Sequence, residues 1–482
     1  MKPNPTETAE QTSSPAPGAA LGRELSPLMP AGELVTEGPR LREAGSDGTG
    51  NRGLSGHAEA LALPASTDEV AAVMAWCYEH DVAIVPRGGG TGLAGGAVPD
   101  GGLVLSLERL DAIRALEPEL WRMQAEAGVR TARVHRVARE NGLLFPPDPG
   151  ASEQSTIGGN IATNAGGPHA FRYGVTGHWV TGLEAVLPAG EVIRVGGAVR
   201  KDVAGYDFVH LLTGSEGTLA VVTAAWLRLV PAPEAQAVVA AFYPSAAAGC
   251  AAVAAVMGSG IEPTALEYLD AGALAASIGS FPFPAPADAG FAVIAETDGH
   301  PDEVERVAAE LCEALAEGAV AAPAPLTEAG EARRLWAWRD GVPIAVTAQR
   351  GGKVSEDVVV PVDRLAEAIA ATVEIGRAHR LEACSWGHAG DGNIHATFLV
   401  DLERPEELER AERAAEAVFD MAIALEGSIS GEHGIGTLKT GRVGAALDAA
   451  VVEIEADLKR VFDPKLLLNP GKKVPGLGPS PA

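Results

Sequence analysis

Cysteine is scarce in this chain, and cations are outnumbered. Four cysteines, Cys77, Cys250, Cys312 and Cys384, lie scattered through 482 residues without paired spacing, so neither a thiolate zinc site nor an iron–sulfur cluster is written here. They read as buried structural thiols. Lysine and arginine total 37 against 64 aspartates and glutamates, a formal net charge of -27. That balance excludes non-specific binding to nucleic acid or anionic lipid, which needs a cationic surface. An anionic ligand must instead meet local positive charge. No apolar run reaches membrane-spanning length, so no span is expected. The opening MKPNPTETAEQTSSPAPG is polar and lacks the apolar core of a signal segment. The sequence therefore predicts a cytoplasmic protein with a disordered leader over residues 1–45. No internal repeat recurs at a fixed period, which excludes a solenoid.

What is present is ample core material: 46% of residues are apolar, enough for two or three domains. The segment STDEVAAVMAWCYEHDVAIVPRGGG reads as a capped amphipathic helix, then a short strand entering a glycine loop. From there to about Pro231, apolar runs such as LVLSL, LEAVLP and LAVVTAAWLRLV alternate with glycine-rich turns. Pro231 and Pro233 mark a boundary. Beyond it, helical patterns (DEVERVAAELCEALAE, EELERAERAAEAVFDMAIALEG) alternate with strands (FAVIAETDG, VSEDVVVPV, HATFLV), and FDPKLLLNPGKK reads as a loop. The predicted class is α+β throughout.

The loop Pro86–Gly95 contains a literal GxGxxG at Gly90, Gly92 and Gly95. A Rossmann fingerprint must open a helix, yet Pro99, Asp100, Gly101 and Gly102 follow and then another strand. Consecutive glycines can still converge backbone N–H groups on an anion and cradle a pyrophosphate without a helix. A second segment, PPDPGAS through STIGGNIATNAGG, is dense in small residues and amides, suited to close backbone approach to a flat polar ligand. Gly214-Ser215-Glu216-Gly217-Thr218 adds a third.

With PRGGGTGLAGG, PPDPGA, STIGGNIATNAGG, GSEGTL, GHAGDGNIH, GEHGIG and NPGK in this order, the chain resembles the FAD-linked oxidases of the vanillyl-alcohol oxidase type. The branch resembled contains glycolate oxidase flavin subunit, D-lactate dehydrogenase and D-2-hydroxyglutarate dehydrogenase, and the likeness runs from about Ser46 to Val474. It implies a two-lobed FAD-binding domain over 46–232 and an α+β substrate and metal domain over 233–475. It also implies FAD contacts along the three segments and the NPGK turn: Arg87, Gly88, Gly89, Gly90, Thr91, Gly92, Asp148, Thr156, Gly158, Gly159, Asn160, Thr163, Asn164, Gly166, Glu216, Gly217 and Asn469. Some relatives tether the flavin through a histidine at the position resembling Thr91, so FAD is expected to be non-covalent here.

In Gly387–Thr397, His388 sits among glycines whereas Asn393, His395 and Thr397 share one face of a strand at period two. Two of only eleven histidines in one glycine-framed turn, with Glu432 and His433 in a second glycine-framed loop, favour function over an ordinary core or surface role. Two imidazoles and one carboxylate leave open positions on a divalent metal, the arrangement of a catalytic site. The resemblance implies His388, His395 and Glu432 as ligands of zinc or manganese, with His433 as the base and Asn393 at the substrate. It also implies Arg339 and Lys353 as the cations for the substrate carboxylate, an arginine presenting the two-pronged donor that carboxylate suits. Pro343 stands where a dicarboxylate-using relative carries threonine, which counts against hydroxyglutarate.

The expected activity is oxidation of a small 2-hydroxy acid, with electrons passing to an external cytochrome, quinone, flavoprotein or oxygen. A homodimer is compatible with the sequence. The rival readings are a phenol or sugar oxidase on the same flavin fold and a non-catalytic FAD-binding subunit that only passes electrons.

Overall fold

The computed structural model describes residues 17–477 and contains no cis peptide bonds among them. Its first sheet has the order β1-β2-β4-β3, from β1 (Glu33–Val35), β2 (Ala60–Leu63), β3 (Ile84–Arg87) and β4 (Leu103–Ser106). β2, β4 and β3 run parallel, and β2 and β4, apolar but for Ser106, have every residue buried, as parallel strands covered on both faces require. The Thr67–Glu79 helix makes the crossover, and Ser66 Oγ caps it by accepting from Glu69 N at 3.2 Å. This is the helix and strand the sequence predicts.

The predicted disorder over 1–45 is corrected for its described part. Pro17–Leu25 is helical and β1 pairs antiparallel with β2. Leu21, Leu25 and Met29 bury themselves beside Val70, Val73 and Met74. Leu21 and Leu25, four residues apart, share one face of the helix and Met29 follows just beyond its end, a pattern that the polar composition around them masks. The first sixteen residues of the expected leader lie outside the described residues.

A second, antiparallel sheet has the order β5-β6-β10-β8-β9, from β5 (Ile113–Glu117), β6 (Arg122–Glu126), β8 (Val180–Val186), β9 (Val192–Gly196) and β10 (Val221–Arg228). A two-residue pairing of β7 (Leu143–Leu144) with β11 (Val230–Pro231) lies beside it. The third sheet has seven antiparallel strands: β12 (Ala235–Tyr243), β13 (Ala265–Leu269), β14 (Phe291–Gly299), β15 (Pro325–Leu326), β16 (Gly352–Val359), β17 (Ala383–His388) and β18 (Asn393–Val400). Their order is β15-β12-β14-β13-β17-β18-β16.

Period-two alternation divides this sheet sharply. One face, with Tyr243, Tyr268, Val293, Ile394 and Phe398, packs against helices that include Ala246–Ser259 and Pro405–Ala424. The other face carries Glu267, His388, His395 and Asp357 on four adjacent strands, in register Glu267↔His388 and Asp357↔His395. Burying charges side by side there is costly unless each is paired. That requirement organises the site.

Candidate functional site

His388 ends β17, a three-residue turn follows, and Gly392 takes the left-handed conformation at φ +69° before β18 begins. A Cβ on Gly392 would lie 1.9 Å from Val360 O, so only glycine closes this hairpin. The tight turn sets the His388 and His395 rings edge to face, centroids 5.6 Å apart. Glu432 reaches them from its own loop, with Oε1 3.6 Å from His388 Nε2 and 3.6 Å from His395 Nε2. One ligand atom from each of the three lies within 4.8 Å of the others. Separations of this order suit donors that share one metal ion at about 2.0–2.2 Å each.

The surroundings fit a metal as well. His388 Nδ1 donates to Glu267 Oε1 at 2.5 Å, which turns Nε2 towards Glu432 in the manner of a carboxylate-oriented ligand. Burial alone would lower the His388 pKa, but Glu267 pushes it up to about 10. A proton and a metal ion are thus alternatives at Nε2. Burial pushes His395 down to about 3, which keeps that imidazole neutral. Glu432, which burial would raise, is held down to about 2 chiefly by His388.

Two residues that the sequence reading missed hold this arrangement. Glu267 is fully buried and joins His388 to Arg339. Asp357 is also fully buried, and its Oδ2 accepts from the backbone N–H of Gly431 (2.8 Å), Glu432 (2.9 Å) and His433 (3.0 Å) and from Ser430 Oγ. One carboxylate therefore shapes the loop that delivers both Glu432 and His433. The available signal was acid inside an apolar strand, one residue in ALEYL and the adjacent Glu356 and Asp357 in SEDVVV.

His433 stacks on His395, centroids 5.3 Å apart and planes within 10°, with Nε2 3.8 Å from Glu432 Oε1. Asn393, expected at the substrate, has its amide hydrogens engaged within the protein. Its Nδ2 donates to Asp357 Oδ1 at 2.6 Å and to Val358 O, leaving only a buried Oδ1 without a partner. Lys353 is likewise engaged, donating to Pro343 O at 3.0 Å and lying 5.0 Å over the Trp386 ring, with burial lowering its pKa to about 8. Arg339 Nη2 abuts Glu267 Oε2, whereas its Nε is buried with no hydrogen-bond acceptor. Buried donors left over beside an ion pair are what an incoming carboxylate would take up.

The glycine segments converge. Residues 88–102 form a loop between β3 and β4 without a helix, as the sequence reading requires. The second segment holds a short helix, Ile157–Thr163, capped by Thr156 Oγ1 and ended by Asn164 at φ +53°. Arg87, Gly88, Thr156, Gly159, Glu216 and Gly217 line one cleft together with Gly158. A Cβ on Gly89 would sit 2.1 Å from Gln154 O, and one on Gly88 2.6 Å from Thr156 Oγ1, so only glycines let the two segments meet. Such a cradle of small residues beside a half-buried arginine suits the pyrophosphate of a dinucleotide. One on Gly166 would sit 3.0 Å from Glu432 Oε2, so the second segment runs from this cleft to the three-residue cluster.

Several side chains expected at the cofactor also form hydrogen bonds within the protein. Asp148 pairs with His169 at 2.5 Å, and Asn160 donates to Thr131. Asn164 accepts from Gly177 N, and Thr163 donates to Gly159 O. Glu216 accepts from Ile435 N and Gly436 N, while Asn469 donates to Gly96 O and Glu216 O. Small polar groups in a glycine-rich region complete the backbone hydrogen bonds that irregular loops leave open. Gly90, at φ +68°, lies under the Arg87 guanidinium, next to Thr91 and Gly92 in the first loop.

Comparison with known proteins places this geometry. Residues 58–196 match the FAD binding domain model, and residues 232–473 match that of the C-terminal domain of FAD linked oxidases. The chain is 38% identical to glycolate oxidase subunit GlcD of Bacillus subtilis, covering 86% of this chain and 88% of that one. It is 34% identical to D-lactate dehydrogenase of Anaerostipes hadrus, over 86% and 89%. The fold matches 4-ethylphenol oxidase from Gulosibacter chungangensis with a TM-score of 0.79 at 17% identity, over 98% of this chain and 99% of that one.

Proposed function

The chain belongs to the FAD-linked oxidase family of the vanillyl-alcohol oxidase type, and from that premise we propose that it oxidises a small 2-hydroxy acid of the glycolate or D-lactate class to the 2-oxo acid. The observation that carries the reading is the meeting of the glycine segments with the His388, His395 and Glu432 cluster at Gly166. FAD, when bound, supplies the hydride acceptor, and a divalent ion of the zinc or manganese kind, when bound, supplies Lewis acidity at the substrate oxygens.

The chain's own residues then divide the work. Arg339 binds the substrate carboxylate through its unpaired Nε hydrogen while Nη2 stays on Glu267. His433, stacked beside His395 at the rim of the cluster, takes the hydroxyl proton on its imidazole. Asp357 fixes the approach of both Glu432 and His433, and Glu267 fixes the tautomer of His388. We assign residues 46–232 to flavin binding and 233–475 to substrate and metal, with residues 17–45 added to the first lobe. Among the described residues no helix is long and apolar enough to cross a membrane. A cytoplasmic location and an external electron acceptor belong to the same proposal.

Anaerobic titration of the yellow protein with hydroxy acids of both hands tests the reading. D-lactate or glycolate should bleach the flavin, and a phenol such as p-cresol should not. Bleaching by the phenol alone would replace the proposal with phenol oxidation. Acid precipitation should release the colour, and colour retained in the pellet would show a covalent flavin despite Thr91.

A further inference from the structure

His169 follows the second glycine segment and belongs to none of the groups assigned above. Its ring lies between two carboxylates from opposite halves of the chain: Nδ1 is 2.5 Å from Asp148 Oδ2, in the PPDPG segment, and Nε2 is 3.1 Å from Glu296 Oε1, on β14. An imidazole that faces carboxylate oxygens with both nitrogens must donate from both, so the geometry itself calls for the cationic form. Burial opposes that charge, and the paired carboxylates raise the pKa well above the ordinary histidine value.

Glu296 has a second donor, the indole Nε1 of Trp336. Trp336 lies on the Ala329–Asp340 helix three residues before Arg339, and its ring is 5.4 Å from that of His169. Glu296 and Glu267 occupy neighbouring strands two residues out of register, on the same sheet face, Glu296 opposite Ala265 and Glu267 opposite Ile294. One helix therefore rests on two carboxylates. Glu267 links its Arg339 to His388 and the metal cluster, and Glu296 links its Trp336, through His169, to the flavin half. Other charged groups around the ring are Asp340 on the same helix, His135 behind Asp148, and the Arg172 and Tyr173 pair on Asp298.

We propose that His169, as an imidazolium bridging Asp148 and Glu296, is the positioning residue that registers the Arg339 helix against the flavin half of the site. It touches neither substrate nor reacting atoms in this account. Its effect passes through Trp336 to the carboxylate anchor, so loosening it should weaken substrate binding ahead of turnover. The inference rests on the proposed hydroxy-acid reading for its kinetic arm only.

The test compares wild type with His169→Gln, which cannot bridge both carboxylates or carry charge. With D-lactate or glycolate, whichever wild type oxidises, the variant should show an apparent KM raised about 10-fold at pH 7 with kcat changed much less, the signature of lost ground-state positioning. FAD content should be unchanged. Raising pH through the imidazolium's titration should raise the wild-type KM towards that of the variant, whose own KM should stay flat over the same range. A second arm needs no substrate. Protonated imidazole quenches neighbouring indole, so the emission difference between wild type and Trp336→Phe should grow at alkaline pH, and this growth should be absent when His169→Gln is the background. If no hydroxy acid bleaches wild-type flavin, the functional reading fails while the fluorescence arm still decides the clasp. Should His169→Gln fold poorly, Asp148→Asn removes one end of the bridge and should give the same KM rise. A wild-type KM and pH profile in these variants, or a loss of FAD and kcat together at every pH, would overturn the proposal.

Discussion

Glu267 shows at the level of single residues how the buried site tolerates its charge. Burial would raise its pKa, yet Arg339 and His388 hold it down to about 2, so one carboxylate pairs with two groups that belong to different tasks. Removing Arg339 leaves Glu267 still paired with His388 Nδ1, so the metal cluster should survive the change. Arg339→Ala should therefore raise the apparent KM for D-lactate or glycolate about 10-fold or more, with FAD and metal content near wild type, because a contact to the non-reacting carboxylate acts in ground and transition states alike. Steady-state kinetics with elemental analysis check this. An unchanged KM would move the carboxylate contact away from Arg339, and Lys353, already bound to Pro343 O, would have to release that bond to take it over.

Among elements, the paired glycine segments make the sharpest demand. Gly89 lies against the backbone of Gln154, where a methyl group would approach Gln154 O to 2.1 Å. Backbone cannot yield as a side-chain end does. Gly89→Ala should thus separate the segments, release FAD on gel filtration, and cost about 1–3 kcal/mol in chemical denaturation of the protein as purified. Full flavin retention would mean that the first loop does not form the cradle.

These elements also show what was legible beforehand. The Thr67–Glu79 helix declared itself through Ser66 and its apolar spacing, and β18 through Asn393, His395 and Thr397 at period two, whereas β17 did not, its glycine-flanked His388 reading as loop although it ends that strand. The engagement of Asp148, Asn160, Glu216 and Asn469 with other loops was not legible, because their partners are distant backbone groups that only the tertiary fold brings near. Glu267 and Asp357 were overlooked for a related reason. An acid in an apolar strand declares a buried partner without saying which one.

At the scale of the whole molecule, the flavin half and the seven-stranded half are joined by buried polar contacts as well as by chain connectivity. Arg52, in the first lobe, reaches Glu356 on β16 at 2.7 Å and Glu412 on the Pro405–Ala424 helix at 2.8 Å. Glu356 is almost wholly buried, so Arg52→Ala strands its carboxylate, with only Lys439 at 4.0 Å remaining. Breaking one side of a buried pair costs about 3–5 kcal/mol, and the loss should appear in urea denaturation of the holoprotein. A change below about 1 kcal/mol would show the pair to be solvated as exposed bridges are.

The central claim is that flavin and the three-residue cluster act on one hydroxy acid, with His433 as the proton acceptor beside it. Anaerobic stopped-flow bleaching of wild type, Glu432→Gln and His433→Ala with D-lactate or glycolate tests it, each protein first assayed for FAD and metal. Wild type should bleach, Glu432→Gln should lose metal and activity together, and His433→Ala should keep both cofactors yet bleach more slowly by a factor on the order of 10². Wild type that no hydroxy acid of either hand can bleach, or metal-replete His433→Ala that bleaches at the wild-type rate, would contradict it.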